Sequence, residues 1–220
     1  MAVGALLFDW LTKPARSSPR AAWAEALEGL HGSDPLPWWA AGLYESQARH
    51  QLLRLRDDPT ADGIEPWLTR LLPQLENIRT ALAPKGLVVP VPSWKRHANP
   101  LPALLAQGVS RRLGWKFQPT LLRRSRPVLG QHHLGRRLRL ANQAGAFVAQ
   151  PALRLRQGPR PPVLLIDDIL TTGATACAAA EALRQAGWRV LGLACLARTP
   201  PGRRRGRDLR SGSRQGDGPG

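Results

Sequence analysis

Two adjacent carboxylates, Asp167 and Asp168, close an apolar run of Val163, Leu164, Leu165 and Ile166. Just beyond them lies a short loop of hydroxyls and glycine, Thr171-Thr172-Gly173-Ala174-Thr175, and then an alanine-rich stretch at 176–186 that reads as a helix. A strand feeding such a turn and helix leaves backbone N–H groups open at the helix N-terminus, where a phosphate is favoured. The carboxylates fall at the strand's C-terminal end, where open parallel sheets bind their ligands. Carboxylates beside a phosphate cradle suit a ligand that also carries hydroxyls or a divalent metal, and a sugar phosphate satisfies both. The plainer alternative is a buried parallel strand with a polar turn and a Thr-capped helix. Neither Gly-x-x-x-x-Gly-Lys-Ser/Thr nor Gly-x-Gly-x-x-Gly occurs, so the two common nucleotide motifs do not compete.

The elements that must hold this segment alternate between strand and helix. Helical periods run over residues 42–56 and 67–82, a strand over 87–92, a helix over 99–113, and short strands near Leu121 and Leu122 and over 146–148. A final strand spans 190–197. The alternation predicts an α/β fold with a doubly wound, mainly parallel sheet. Residues 1–41 read as a Trp- and Pro-rich N-terminal extension, irregular apart from a short helix over 21–30. Residues 42–200 form the main domain, and 201–220 a Gly- and Arg-rich tail expected to be disordered.

The chain has 220 residues and a formal net charge of +17, unevenly spread. Residues 77–166 carry sixteen basic side chains and no Asp or Glu, so Asp167 and Asp168 are the first carboxylates after Glu76. A cationic half of this kind favours polyanions: nucleic acid, pyrophosphate or an acidic protein face. Aromatic residues among the basic clusters are few (Trp94, Trp115 and Phe117), which is thin for base stacking. The two cysteines, Cys177 and Cys195, form no metal-ligand pattern and read as buried small hydrophobes in a reducing compartment. No apolar run approaches membrane-spanning length and no signal peptide is evident, so a cytoplasmic location is expected.

The segment from Val163 to Thr175 resembles the phosphoribosyl pyrophosphate motif of type I phosphoribosyltransferases, in which hydrophobic residues precede Asp-Asp and then Thr-Thr-Gly-x-Thr. Two further segments are similar to the ComF-type competence family. Val89-Pro90-Val91-Pro92-Ser93-Trp94-Lys95-Arg96-His97-Ala98-Asn99 resembles its Val-Pro-Val-Pro…Arg…Arg-Gly-Phe-Asn stretch. Gln131-x-x-Leu134…Arg139-x-x-Asn142…Ala146-Phe147 resembles its Gln-x-x-Leu…Arg-x-x-Asn…Ala-Phe arm. The departures are His97-Ala98 in place of Gly-Phe, and the lack of the Cys-x-x-Cys zinc ribbon with which such proteins commonly begin; structural zinc is not expected.

The resemblance implies a type I phosphoribosyltransferase fold. Asp167 and Asp168 would act as the catalytic pair, holding the ribose 2′ and 3′ hydroxyls directly or through Mg²⁺. Thr171, Thr172, Gly173, Ala174 and Thr175 would wrap the 5′-phosphate. Lys95 and Arg96, with Arg136, Arg137 and Arg139 on the basic arm at 125–142, would receive pyrophosphate; the adjacent His132 and His133 are not expected to chelate a metal. The implied ligand is phosphoribosyl pyrophosphate or a nucleotide. The first expectation is a Mg²⁺-dependent phosphoribosyltransferase linked to competence and DNA uptake. The alternative is a non-catalytic competence module that binds single-stranded DNA or a competence helicase through its basic surface.

Overall fold

The computed structural model describes residues 30–82, 84–93, 99–125, 145–152 and 160–200. Six strands form the main sheet in the order β1-β2-β8-β7-β3-β4. They are β1 (Leu30–Gly32), β2 (Trp38–Leu43), β3 (Leu87–Pro90), β4 (Lys116–Phe117), β7 (Val163–Leu170) and β8 (Val190–Arg198). Every neighbouring pair is parallel except β1 with β2. A separate antiparallel hairpin joins β5 (Leu122–Arg124) to β6 (Phe147–Ala149). The mainly parallel α/β architecture expected from the strand–helix alternation is therefore present.

The central strands are apolar on both faces because both faces are covered. Val88, Leu164, Ile166, Ala194 and Leu196 pack with one core under α1 (Ser46–Asp57), α2 (Ala61–Leu82) and α3 (Leu101–Leu113). Leu87, Val89, Val163, Leu165, Leu193 and Cys195 pack with the other, under α4 (Ala174–Gln185) and the β5–β6 hairpin. Successive residues of β3 and β7 thus feed opposite cores, as the two-residue period of a strand requires.

Three elements differ from the sequence expectation. The sequence places residues 30–41 in an extension outside the main domain, yet β2 pairs with β8 from Trp38↔Leu193 to Leu43↔Arg198 and belongs to the sheet. Pro35 and Pro37 mark the turn before this strand, not an irregular segment, and Ala40 and Ala41 are both fully buried because β2 is covered on two sides. Helix α1 starts at Ser46, since Gly42 and Leu43 complete β2. Helix α2 begins six residues earlier than Trp67. Its buried stripe of Ile64, Trp67, Leu68, Leu71, Leu75 and Ile78 carries the helix through Pro66 and Pro73. Thr60 Oγ1 accepts the Gly63 N–H (3.0 Å) at its start.

Candidate functional site

Strand β3 is followed by α3 and then β4 on one side of it, whereas β7 is followed by α4 and then β8 on the other. The chain therefore turns in opposite directions from two neighbouring strands, and the C-terminal ends of β3 and β7 form a topological switch point, the place where doubly wound sheets bind ligands. Asp167 and Asp168 lie there. The Val91 N–H donates to Ile166 O (2.8 Å), so the chain after β3 departs directly beside the carboxylates.

The two carboxylates are not equivalent. Being adjacent on a strand, they point to opposite sides of the sheet. Asp168 is buried, and its Oδ2 accepts from Arg56 Nε (2.8 Å), Arg56 Nη2 (2.6 Å) and Asn99 Nδ2 (2.5 Å). Its Oδ1 accepts the Ile169 N–H (2.7 Å). Arg56 comes from the end of α1, and Asn99 stands just before α3, where its Oδ1 also accepts the Leu101 N–H (3.2 Å). Asp168 thus ties α1, β7 and the entry to α3 together.

Asp167 is half-buried and lines a cleft with Ile169, Leu170 and residues 171–176. Burial, and then the charge of Asp168, hold its carboxyl well above the usual carboxylate range. Its Oδ1 accepts the Asp168 N–H (2.9 Å). Opposite Asp167 in the ladder, Cys195 is fully buried, and burial pushes its thiol up as well.

The cleft is shallow, about 20 Å³, so a phosphate would rest in its mouth. Gly173 forms the N-terminal boundary of α4 with φ 77°. A Cβ there would stand 2.3 Å from Pro35 Cγ, so both the left-handed backbone and the contact with the β1–β2 turn require glycine. Gly173 has no side chain to cap α4; Thr172 Oγ1 accepts the Ala174 N–H (3.4 Å), and the next amides of the first turn have no partner within the helix. Thr171 is exposed, Thr172 and Thr175 are half-buried, and Gly173 and Ala174 are buried in the loop wall. All five residues expected to wrap a phosphate line this one cleft with Asp167. The sequence grouped Asp167 with Asp168; the fold divides them.

The cationic side of the expected site is not among the described residues. Lys95 and Arg96 lie outside the described residues, as do Arg136, Arg137 and Arg139, and His132 and His133. Their flanks are described. Arg124 of β5 donates from Nε to Pro92 O (3.1 Å) and stacks over Phe147 at 4.5 Å, joining the hairpin to the chain after β3. Ser125 N–H to Ala146 O (3.0 Å) and Ser125 Oγ to Gly145 O (2.6 Å) close the base from which residues 126–144 depart.

Two arginines at the site escaped the sequence reading. Arg56 is one of three arginines in α1, with nothing in its neighbourhood to distinguish it. Arg198 is the one charge ending the apolar run of β8, a signal that was available. Among the described residues no group of three or more His, Cys, Asp or Glu side chains could hold a metal ion, and no helix is long and apolar enough to cross a membrane.

Residues 104–212 match the family described as phosphoribosyl transferase domain, a span that contains Asp167, Asp168 and the whole Thr171–Thr175 loop. The chain carries a phosphoribosyl transferase domain over these residues. It is similar to the DNA utilization protein YhgH of Escherichia coli K12, with 31% identity over 155 residues, covering 68% of this chain and 65% of that protein. The protein of the same name from Salmonella typhi is 32% identical over 141 residues, covering 60% of this chain and 59% of its own. The chain thus spans less than two thirds of the length of these curated relatives. Both are consistent with the ComF-type resemblance. Among solved phosphoribosyltransferases, adenine phosphoribosyltransferase from Saccharomyces cerevisiae is 16% identical, with a TM-score of 0.42 over 81% of this chain and 88% of that one.

Proposed function

We propose that this chain binds phosphoribosyl pyrophosphate, or a nucleotide, across the C-terminal ends of β3 and β7 and transfers the phosphoribosyl group to or from a base. The observation that carries the reading is the placement of Asp167 in one cleft with residues 171–176, at the switch point of the sheet. Asp167 would accept hydrogen bonds from the ribose hydroxyls, which favours its ionised form against the burial that opposes it. The loop amides and the Thr171, Thr172 and Thr175 hydroxyls would hold the 5′-phosphate. Asp168, with all its hydrogen bonds directed to the protein, would fix the strand end that carries Asp167 and would meet the ribose only if Arg56 withdrew.

Phosphoribosyl transfer asks little acid–base chemistry of the protein. It requires an oriented ribose, a stabilised leaving group and exclusion of water. The donor set fits Mg²⁺ in a limited way: Asp167 offers one carboxylate, and Mg²⁺ is often bound through one or two carboxylates with ligand phosphates and waters. When bound, the ion would neutralise charge on the departing pyrophosphate. Lys95, Arg96, Arg136, Arg137 and Arg139 are proposed to receive that pyrophosphate from the two segments whose flanks Arg124 joins.

The test is calorimetric titration of phosphoribosyl pyrophosphate with and without Mg²⁺, comparing wild type with Asp167→Asn. Binding that needs Asp167 supports the site and justifies a screen of acceptor bases; a well-folded wild type that binds nothing sinks it. A second reading has its own support in the acid-free cationic stretch at 77–166 and in the DNA utilization proteins to which the chain is similar. On that reading the chain is a non-catalytic module that binds single-stranded DNA or a helicase partner. Binding to DNA would then weaken steeply with salt and be indifferent to Asp167→Asn.

A further inference from the structure

The geometry points to Arg198 as the positioning residue of the phosphate cradle, a role that rests on the phosphoribosyl reading of the cleft. Arg198 ends β8 and lies opposite Leu170, the last residue of β7. Its Nη1 donates to Leu170 O (3.0 Å) and also to Thr171 O. Thr199 reinforces the first of these carbonyls, donating to Leu170 O from its backbone N–H (2.9 Å) and from Oγ1 (3.3 Å). The guanidinium stacks over the Trp38 ring at 5.4 Å, so the side chain is held from β2 as well.

These contacts have a directional consequence. In a trans peptide the N–H points opposite to the C=O. With the carbonyls of Leu170 and Thr171 drawn toward Arg198, the N–H groups of Thr171 and Thr172 face away from it. Since β7 lies between β8 and β3, away from β8 means toward the crevice at the switch point. Arg198 therefore aims two amides at the place a phosphate would occupy and sets a fixed positive charge behind them. Both bonds leave Nη1, whose two hydrogens are fixed in the guanidinium plane, whereas those of an ammonium rotate freely on a flexible stem, so Lys would replace the charge better than the aim.

Removal of Arg198 is expected to act on the 5′-phosphate end of a ligand and to spare its pyrophosphate end. The experiment titrates ribose 5-phosphate and, separately, inorganic pyrophosphate into the full chain as wild type, Arg198→Lys and Arg198→Met, with melting curves for each. The expected result for Arg198→Met is a Kd for ribose 5-phosphate raised about tenfold, the scale of one charge-assisted contact, with the Kd for pyrophosphate within about twofold. Arg198→Lys should fall between, and it carries the test alone if Arg198→Met does not fold. Equal weakening of both ligands would show that Arg198 only holds the sheet together and would overturn the inference. So would unchanged affinity for ribose 5-phosphate in a variant whose wild type binds it. A wild type that binds neither ligand removes the phosphoribosyl reading itself, and the inference with it.

Discussion

The ion pair between Arg56 and Asp168 gives the sharpest quantitative prediction. The Asp168 side chain is 8% exposed and that of Arg56 36%, so one partner is desolvated and the other partly wet. Removing one member of a buried pair costs about 3–5 kcal/mol when the other is left uncompensated. Arg56→Met does not leave Asp168 bare, because Asn99 and the Ile169 N–H still donate to it. Those remaining charge-assisted bonds, and the exposure of Arg56, bring the expected loss down to about 2 kcal/mol. For a chain of this size that corresponds to a fall in Tm of about 4–8 °C.

A double-mutant cycle separates the pair from its surroundings. Urea denaturation of wild type, Arg56→Met, Asp168→Asn and the double variant should give a coupling energy of at least about 1 kcal/mol, with the double variant more stable than the sum of the singles implies. A coupling below about 0.5 kcal/mol would mean that Arg56 is an ordinary surface arginine. The claim that Asp168 is committed to the protein would then fail, and the two carboxylates would have to be treated as an equivalent ligand-binding pair.

Three further predictions follow from the same site. The raised carboxyl of Asp167 means the native state holds that proton at a pH where the unfolded chain has released it, so stability falls as pH rises from the ordinary carboxylate value through the raised one. Asp167→Asn removes this slope, and its Tm should exceed that of wild type at pH 7.5 and converge with it near pH 4; equal melting at both would refute the burial of the charge. Gly173→Ala combines φ 77° with a Cβ 2.3 Å from Pro35 Cγ, and should lose about 1–3 kcal/mol from the backbone alone and more from the clash. Melting at the wild-type temperature would show that the β1–β2 turn does not rest on the loop. Iodoacetamide at pH 8 should leave the Cys195 thiol unmodified until the protein is denatured, since burial keeps it protonated; modification of Cys195 in the folded protein, told apart from that of the half-buried Cys177 by peptide mass spectrometry, would contradict its placement.

What the sequence disclosed depended on whether a local signal existed. Strands β3, β7 and β8 are apolar runs bounded by turn residues, and the stripes of α2, α3 and α4 have the helical period, so their existence and order were legible. Strand β2 was not, because Trp-Trp-Ala-Ala-Gly-Leu follows two prolines and has no alternation; its pairing with a strand about 150 residues later is decided by packing. Strand β4, two residues long, carries no pattern at all. The cleft was legible as a contiguous motif, with Asp167 and all five loop residues lining it. The pairing of Asp168 with Arg56 was not, since the partners are 112 residues apart. Its consequence for the carboxylates could still have been drawn, because neighbours on a regular strand point to opposite faces.

That last point bears on why carboxylates stand in a half of the chain otherwise dominated by basic residues. Among the described residues, Asp168 takes its ionic partner from α1, at the end of the acidic-leaning first third, and not from the basic stretch at 77–166. The pair holds the C-terminal end of β7 between α1 and the entry to α3 without drawing on the cations that would meet a polyanion. Asp167 is left facing the cleft, with a carboxyl that burial and Asp168 keep costly to ionise. Both costs fall when donors or positive charge arrive at Asp167, and a sugar phosphate brings hydroxyls and, with a divalent ion, charge. A strained acid at the switch point, backed by an arginine-braced loop, is thus stabilised by the kind of ligand proposed for it, whereas a phosphate alone, offering neither hydroxyl donors nor a cation, would add repulsion. Ribose 5-phosphate should therefore bind better than inorganic phosphate by more than its added contacts alone explain, and the margin should shrink in Asp167→Asn, where the repulsion and the hydroxyl acceptor are both weakened.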